Sequence, residues 1–340
     1  MRASQAHADI ARLDLSAARA VPGVVAAFAM ADLDGVLPGT PLPLDQIANR
    51  DGSVTPVPPR PALARHRVRF AGEAIALVVA TSDAAAADGV EAAAFACDER
   101  AAAASLDTSE GAALHDDVPG NIGFDWHGGD SAAVDGAFAA AAHVASIRAV
   151  LPRILGLPLE PASAVASYAD GRWTLVTPSQ GAHAIRRELA AGYLGVEPER
   201  LRVVTPDVGV AFGIRIHALP EHAALLGAAR LLGHSIAWRA DRSESNLCEP
   251  HARDMRVDAE LALDREGRFL GLRASTLCAL GAYVHPGARA TPTASLLFGL
   301  QGAYRMPAVS LHVQGVYTNT TPPGRSAAPG SRKAPTSWNG

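Results

Sequence analysis

The chain has 340 residues, of which 49% are hydrophobic and 19% charged, so it can bury the cores of two domains and is not disordered over most of its length. Thirty basic residues against 34 acidic ones give a net charge of −4 without a basic stripe, which argues against a nucleic-acid partner. Three widely separated cysteines, Cys97, Cys248 and Cys278, predict core thiols in a reduced compartment and not a disulfide scaffold.

The beginning of the sequence carries no long apolar stretch of the kind found in secretory signals. No later run of 18 or more apolar residues predicts a membrane span. We therefore expect a cytoplasmic protein that has no membrane-spanning segment.

The first hundred residues predict a small α/β unit. An apolar run at residues 23–29 precedes a proline-rich loop at 34–60, which cannot be a central strand or helix. Two strands follow at 67–70 and 74–80, and Ser82 then caps an alanine-rich helix that we predict to extend through Phe95.

Residues 101–130 combine glycine, proline and scattered acids, and they predict a linker with a domain boundary near residue 115. The firmest local prediction beyond it is a hairpin, in which residues 255–263 alternate into the turn 264–267 and a return strand from Phe269. The other predicted elements are helices at 132–143, 182–194 and 221–232, and strands at 145–151, 164–168, 172–177, 201–204 and 309–318.

Two glycine-containing loops follow predicted strands of the second domain. One contains Gln180 after the strand at 172–177, and the other contains Phe212 and Gly213 after the strand at 201–204. Ligands of α/β folds gather at strand ends, and glycine lets backbone N–H groups approach an oxyanion, so these loops predict a shared site. The alternatives are a plain turn in the second loop and helix capping by Ser179 in the first.

These stretches resemble the molybdopterin-binding large subunit of the xanthine dehydrogenase and aldehyde oxidase family of molybdenum hydroxylases, which includes carbon monoxide dehydrogenase large subunits. The resemblance implies an α/β (α+β) fold, with a hammerhead-like domain at residues 1–115 and an incomplete molybdopterin-binding domain at 116–324. It is carried by the following segments: Val21 to Ala26, Pro61 to Ala64, Val68 to Glu73, Ala76 to Ala80, Leu159 to Pro161, Ser179 to Gly181, Pro206 to Gly209, Phe212 and Gly213, Asp241 to Glu244, Gly281 to Tyr283, and Val316 to Thr320.

The resemblance implies an oxidoreductase that oxidises an aldehyde, an N-heterocycle or a similar small molecule, with water as the oxygen source. Molybdenum-molybdopterin is the implied cofactor, and a glutamate acts as the base. Gln180 matches the glutamine that meets the oxygen ligands of the metal, while Phe212 and Gly213 match the pair whose backbone lies against them. The implied partners are an iron–sulfur subunit and, in many members, a flavin (FAD) subunit.

Some features depart from the family pattern. Val210 and Ile214 stand where the family has glycines, and we expect both side chains to crowd the cofactor. Both ends are expected to be truncated, with residues 325–340 an out-of-frame tail produced by a frameshift after Gly324. The base glutamate would then lie outside this chain. The alternative function is a non-catalytic remnant that binds no molybdenum and at most docks to partner subunits.

The remaining candidates favour structural roles. His217 and His222 lack the short convergent spacing of a zinc site. The charged segment 241–244 is expected to cap a helix or to pair locally, in preference to a catalytic role. Ser179 and His183 would suggest a hydrolase only if an acid oriented the histidine. A nucleotide site at Gly209 is disfavoured because the required glycine pattern and a downstream lysine are missing there.

Overall fold

The computed structural model describes residues 1–39, 47–106 and 113–324, so the predicted tail at 325–340 lies outside the described residues. The strands are β1 (Ala8–Asp14), β2 (Val24–Phe28), β3 (Arg67–Val68), β4 (Leu77–Ala80), β5 (Ala94–Glu99), β6 (Ile122–Gly129), β7 (His143–Leu151), β8 (Ser163–Ala169), β9 (Arg172–Val176), β10 (Leu201–Val204), β11 (Ile236–Arg239), β12 (Met255–Leu263), β13 (Phe269–Gly281) and β14 (Val309–Tyr317).

The helices alternate with these strands along the chain. They are α1 (Ser16–Ala20), α2 (Met30–Leu33), α3 (Asp83–Ala92), α4 (Ser131–Ala139), α5 (Ala182–Arg187), α6 (Pro220–Leu232), α7 (Arg242–Cys248) and α8 (Leu296–Leu300). Short 3₁₀ turns lie at Pro119–Asn121 and Pro198–Arg200, and π-helical turns at Glu188–Leu194 and Thr291–Ser295. No described helix is both long and apolar enough to cross a membrane.

The N-terminal part contains two small antiparallel sheets, one in the order β3-β1-β5 and the other pairing β2 with β4. Ser82 caps α3 as predicted, since its side chain accepts the Ala85 N–H. The helix ends at Ala92, however, and not at Phe95. The following residues form β5, because pairing with β1 satisfies their backbone groups and outweighs the helical preference of the alanines.

The second part begins with a four-stranded sheet in the order β10-β9-β8-β11. β9 and β10 are parallel, so both end at the same edge of the sheet. Helix α6 packs on this sheet and contributes Ala223, Leu226 and Ala229, all fully buried, to the largest core of the described chain. The helix predicted at 182–194 is present as α5 followed by the π-helical turn, and it ends at Gly195 as expected.

A five-stranded sheet completes the fold in the order β6-β14-β13-β12-β7. The predicted hairpin is confirmed, since β12 pairs antiparallel with β13 and the Asp264 carboxylate accepts the N–H groups of Glu266 and Arg268 in the turn. One face of the sheet buries a second core that includes Phe124, Leu311 and Val313.

The stretch predicted as a linker, residues 101–130, is not irregular throughout, because Ile122–Gly129 forms β6. This strand pairs antiparallel with β14, almost 190 residues further along the chain, and that distant partner supplies its hydrogen bonds. A local reading of its glycines could not reveal the partner. The boundary near residue 115 stays a prediction.

Cys248 and Cys278 are buried free thiols as expected, whereas Cys97 is partly exposed.

Replacing Gly129 by alanine should destabilise the protein strongly. Gly129 has a φ of +96°, and a Cβ there would lie 2.1 Å from the Val309 carbonyl oxygen. We expect the free energy of unfolding to fall by roughly 2–4 kcal/mol in urea denaturation. Gly136→Ala is the control, since Gly136 lies in α4 with no atom within 4 Å of its added Cβ, and it should stabilise by about 0.5–1 kcal/mol. Equal effects of the two substitutions would contradict the argument.

Candidate functional site

The two predicted loops meet in the structure. The turn after β9 and the loop after β10 start from adjacent parallel strands, and the Thr177 N–H continues the pairing by donating to the Val204 carbonyl at 3.0 Å. The Gln180 N–H donates to the Arg215 carbonyl, also at 3.0 Å, and so joins the turn to the far end of the loop. The two loops therefore lie side by side, as a shared site requires, and the shared site itself stays a prediction.

Gln180 lies at the surface, and its carboxamide makes no hydrogen bond with any described residue. Its neighbour Ser179 is instead fixed, because the Ser179 and Thr205 hydroxyls lie 2.6 Å apart and Ser179 Oγ accepts the Gly181 N–H. Gly181 is the N-cap of α5, so the capping role considered for Ser179 is wrong. The turn is therefore held by Ser179 and presents a free carboxamide at Gln180.

Phe212 and Gly213 form a turn with consecutive positive φ angles of 48° and 93°. The Ile214 N–H closes this turn on the Ala211 carbonyl at 2.9 Å. Among the described residues, nothing accepts a hydrogen bond from the N–H groups of Phe212 and Gly213. The Phe212 ring is 51% exposed. Two unpaired donors and an apolar ring thus lie on the loop adjoining the Gln180 turn.

The two residues expected to crowd the cofactor, Val210 and Ile214, lie differently in the loop. Ile214 is 2% exposed and packs against Gly156 beneath the loop, so its side chain does not lie on the exposed side. Gly209 and Val210 both lie outside the positive-φ region, which means that Val210 imposes no backbone strain. The one loop position with positive φ that needs glycine is Gly213.

Charged residues beneath the loop were given no role by the sequence analysis. The Glu160 carboxylate accepts the Gly209 N–H at 2.9 Å and pairs with the Arg215 guanidinium at 3.1 Å. Arg215 also donates to the Glu160 carbonyl oxygen and pairs with the buried Glu249 at 3.1 Å. The only sequence signal for this network was that Glu160 belongs to a segment matching the family pattern.

The histidines near the loop have structural partners. His217 Nδ1 lies 2.6 Å from one carboxylate oxygen of Glu188, and the other carboxylate oxygen of Glu188 accepts the Ala218 N–H. His222 is buried, with Nδ1 accepting the Leu219 N–H and Nε2 at 3.4 Å from the Thr177 hydroxyl. Throughout the described part of the chain, no group of three or more His, Cys, Asp or Glu side chains is arranged to hold a metal ion. Asp241 caps α7 by accepting the Glu244 N–H, which is one of the two local roles expected for the segment 241–244.

Three buried histidines should make stability depend on pH. Burial lowers the pKa of His115 and of His222 to about 4, and it lowers the pKa of His285 to about 3. Unfolding returns each ring to an ordinary pKa near 6.5, so the unfolded chain binds more protons as the pH falls below that value. The stability that these neutral rings contribute is therefore complete above about pH 7. It is lost between about pH 6.5 and 4 for His115 and His222, and between about pH 6.5 and 3 for His285.

Each such histidine should contribute a loss of up to about 1.4 kcal/mol per pH unit within this window. The measurement is the free energy of unfolding in urea at pH 7, 6 and 5. His222→Gln should make this dependence shallower, whereas His234→Gln, at an exposed position, should not change it. A pH profile that is identical in wild type and His222→Gln would contradict the assignment.

Comparisons with known proteins assign both parts of the chain. The a/b hammerhead domain model of aldehyde oxidase and xanthine dehydrogenase matches residues 1–100, and the molybdopterin cofactor-binding domain model matches residues 114–336. The carbon monoxide dehydrogenase large chain of Hydrogenophaga pseudoflava is 32% identical over 344 residues, covering 95% of this chain and 41% of the relative. The nicotine 6-hydroxylase large subunit of Paenarthrobacter nicotinovorans is 31% identical, covering 95% and 40%.

A solved structure shows the same fold. The crystal structure of a Cu,Mo-CO dehydrogenase superposes with a TM-score of 0.84 at 28% identity, covering 96% of this chain and 42% of that chain. The predicted fold class is confirmed. The chain spans about two fifths of the length of these curated relatives.

Proposed function

This chain belongs to the large-subunit family of molybdopterin-dependent molybdenum hydroxylases, and we propose that it forms part of the cofactor site of such an enzyme. The observation that carries the proposal is the meeting of two turns that present unpaired donors. Gln180 offers a carboxamide, and Phe212 and Gly213 offer two N–H groups, all without partners among the described residues.

This donor set fits molybdopterin chemistry. The oxygen ligands of a molybdenum centre carry negative charge and accept hydrogen bonds, and backbone N–H groups fixed by a rigid loop are suited to bind them. A free carboxamide adds a further donor from the neighbouring turn. Ile214 does not obstruct the exposed side of the loop, because its side chain is buried beneath it. The residues present are therefore compatible with the cofactor.

We propose that Gln180, Phe212 and Gly213 hold the oxygen ligands of the cofactor. When bound, molybdenum-molybdopterin would supply the redox centre at which a small molecule is oxidised with water as the oxygen source. The chain itself would orient the cofactor. The backbone hydrogen bond from Gln180 to Arg215 joins the Gln180 turn to the loop that contains Phe212 and Gly213, so the hydrogen-bond donors of the turn and the loop keep a fixed relative position.

We propose an aldehyde, an N-heterocycle or a similar small molecule as the substrate. The exposed Phe212 ring supports this class, because it offers an apolar surface beside the polar donors. The relatives are named as a large chain or a large subunit, so they are parts of multi-subunit proteins. From the family resemblance, the proposed electron-accepting partners are an iron–sulfur subunit and, as in many members of the family, an FAD subunit. The cytoplasm is the proposed location.

Metal analysis of the purified chain tests the proposal. The protein should be produced in a host that makes molybdopterin and assayed for molybdenum by mass spectrometry and for pterin by fluorescence after oxidation. Molybdenum and pterin at comparable, near-stoichiometric levels support the cofactor site. A folded protein containing neither would refute it and would favour the non-catalytic remnant.

A further inference from the structure

We call residues 209–215 the cofactor-site loop. Hydrogen bonds from the first and the last residue of this loop are accepted by the same carboxylate oxygen. Glu160 Oε2 accepts a hydrogen bond from the backbone N–H of Gly209 at 2.9 Å, at the start of the loop. The same oxygen accepts a hydrogen bond from the Arg215 guanidinium group at 3.1 Å, at the end of the loop. The residues between these anchors include the turn at Phe212 and Gly213. A single side chain thus closes the loop at its base.

Arg215 links this closure to the rest of the site. Its guanidinium is 5% exposed and is shared between Glu160 and Glu249, while its carbonyl oxygen accepts the Gln180 N–H. Burial raises the pKa of Glu249, against the opposing effect of the Arg215 charge. A shift of Arg215 would therefore move the end of the loop and the Gln180 turn together.

Glu160 is itself held in place from the opposite side. Arg242 on α7 donates to the carbonyl oxygens of Pro158 and Leu159 at 2.5 and 2.7 Å. Leu157, three residues before Glu160, adopts a φ of 46°, an unfavourable conformation for a leucine. The segment leading to Glu160 belongs to no helix or strand, and Arg242 holds it through two backbone carbonyl oxygens.

We propose that Glu160 and Arg215 are positioning residues, which hold the loop at Gly209 and Arg215 so that the donors of Phe212, Gly213 and Gln180 face one ligand. This inference rests on the proposed cofactor site and assigns a role to side chains that do not touch the ligand themselves. Anchoring both loop ends limits the conformations available to the free donors before the cofactor binds.

Glu160 variants separate this role from a general effect on stability. Glu160→Ala removes the side-chain hydrogen bonds to Gly209 and Arg215, and Arg215 keeps its contacts with the Glu160 carbonyl oxygen and with Glu249. Glu160→Gln keeps a neutral oxygen acceptor and loses the ionic pairing with Arg215. Glu260→Ala is the matched control: Glu260 pairs with Arg273 at 2.7 Å on the five-stranded sheet, and its side chain is 40% exposed against 33% for Glu160. All variants use the full chain.

The first readout is amide hydrogen exchange of peptides covering residues 208–216. Glu160→Ala should speed exchange there at least tenfold, Glu160→Gln should give an intermediate value, and Glu260→Ala should leave these peptides unchanged. Exchange in the hairpin β12–β13 should not respond to either Glu160 variant. Unchanged exchange at 208–216, or an equal change in the Glu260→Ala control, would overturn the proposal.

The second readout is the molybdenum content of the folded protein. A several-fold lower content in Glu160→Ala, with partial recovery in Glu160→Gln, supports positioning toward the cofactor. A loosened loop with wild-type molybdenum content would overturn it. If the wild type itself holds no molybdenum, the proposed function fails, and hydrogen exchange alone then decides whether Glu160 anchors the loop.

Discussion

Replacing Gln180 by alanine is expected to weaken molybdopterin binding roughly 10- to 100-fold, the loss expected for a hydrogen bond to a charged acceptor. The fold should be unaffected, because the Gln180 side chain is exposed and bonds to no described residue, while its backbone hydrogen bond to Arg215 remains. The measurement is molybdenum and pterin retention during extensive dialysis, together with the thermal unfolding midpoint.

Gln301→Ala provides the comparison, since Gln301 is an exposed glutamine at the end of α8. It should retain molybdenum as the wild type does. Gln180→Ala should differ from it in retention but not in unfolding midpoint. Equal retention by the two variants would remove Gln180 from the cofactor site, even if the chain binds molybdenum elsewhere.

Replacing Arg2 by methionine is expected to lower the free energy of unfolding by about 3–5 kcal/mol, because it leaves a buried carboxylate without its partner. Arg2 pairs with Glu221 in the first turn of α6 at 2.8 Å and with Glu244 of α7 at 2.9 Å. The Arg2 and Glu221 side chains are only 12% and 10% exposed. This pair ties the N-terminal part to the helices behind the cofactor-site loop.

The pKa of Glu221 shows why removing Arg2 should lower the stability of the protein. Burial raises its pKa, but the charges of Arg2 and Arg60 and the hydrogen bond from Arg2 outweigh burial and hold the pKa below its ordinary value. Without Arg2, burial would dominate and the carboxylate would be destabilised at neutral pH. The loss of unfolding free energy in Arg2→Met should be largest near pH 7, and it should become smaller at acidic pH because Glu221 is then protonated.

Urea denaturation at pH 7 measures this loss. Arg12→Met is the control, because Arg12 is 69% exposed in its pair with Asp14 and should cost no more than about 0.5 kcal/mol. The double variant Arg2→Met with Glu221→Gln should recover part of the stability, since it removes the unpaired charge. Similar losses for Arg2→Met and Arg12→Met would show that the buried pair does not hold the two parts together.

The sequence was most informative where the signal is local. The hairpin of β12 and β13 follows from strict alternation around a turn at Asp264, and both features lie within about 25 residues. The helix start at Ser82 likewise follows from a side chain that bonds within the first turn of its own helix. Strands β1 and β6 were missed because their hydrogen-bond partners are remote, as with β6 and β14.

The candidate site also has features that the local sequence indicates and features that depend on distant residues. The local pattern of glycines after predicted strands pointed to the two loops of the candidate site, and the family resemblance singled out Gln180, Phe212 and Gly213 within them. Sequence reasoning could not assign the roles of Glu160 and Arg215, whose pairing spans 55 residues. It also could not show that the Ile214 side chain is buried beneath the loop. The direction of a side chain depends on the backbone angles of its neighbours and on the core beneath it.

The order of apolar, polar and glycine residues along this chain therefore indicated many of its elements and the loops of its candidate site, and its motifs indicated the family. The tertiary structure decided which distant strands pair, which loop residues point outward, and which buried charges fix the loop. Local preferences act over a few residues and can be read directly from the sequence. Strand partners and buried ion pairs depend on contacts between residues far apart in the chain, which exist only after folding.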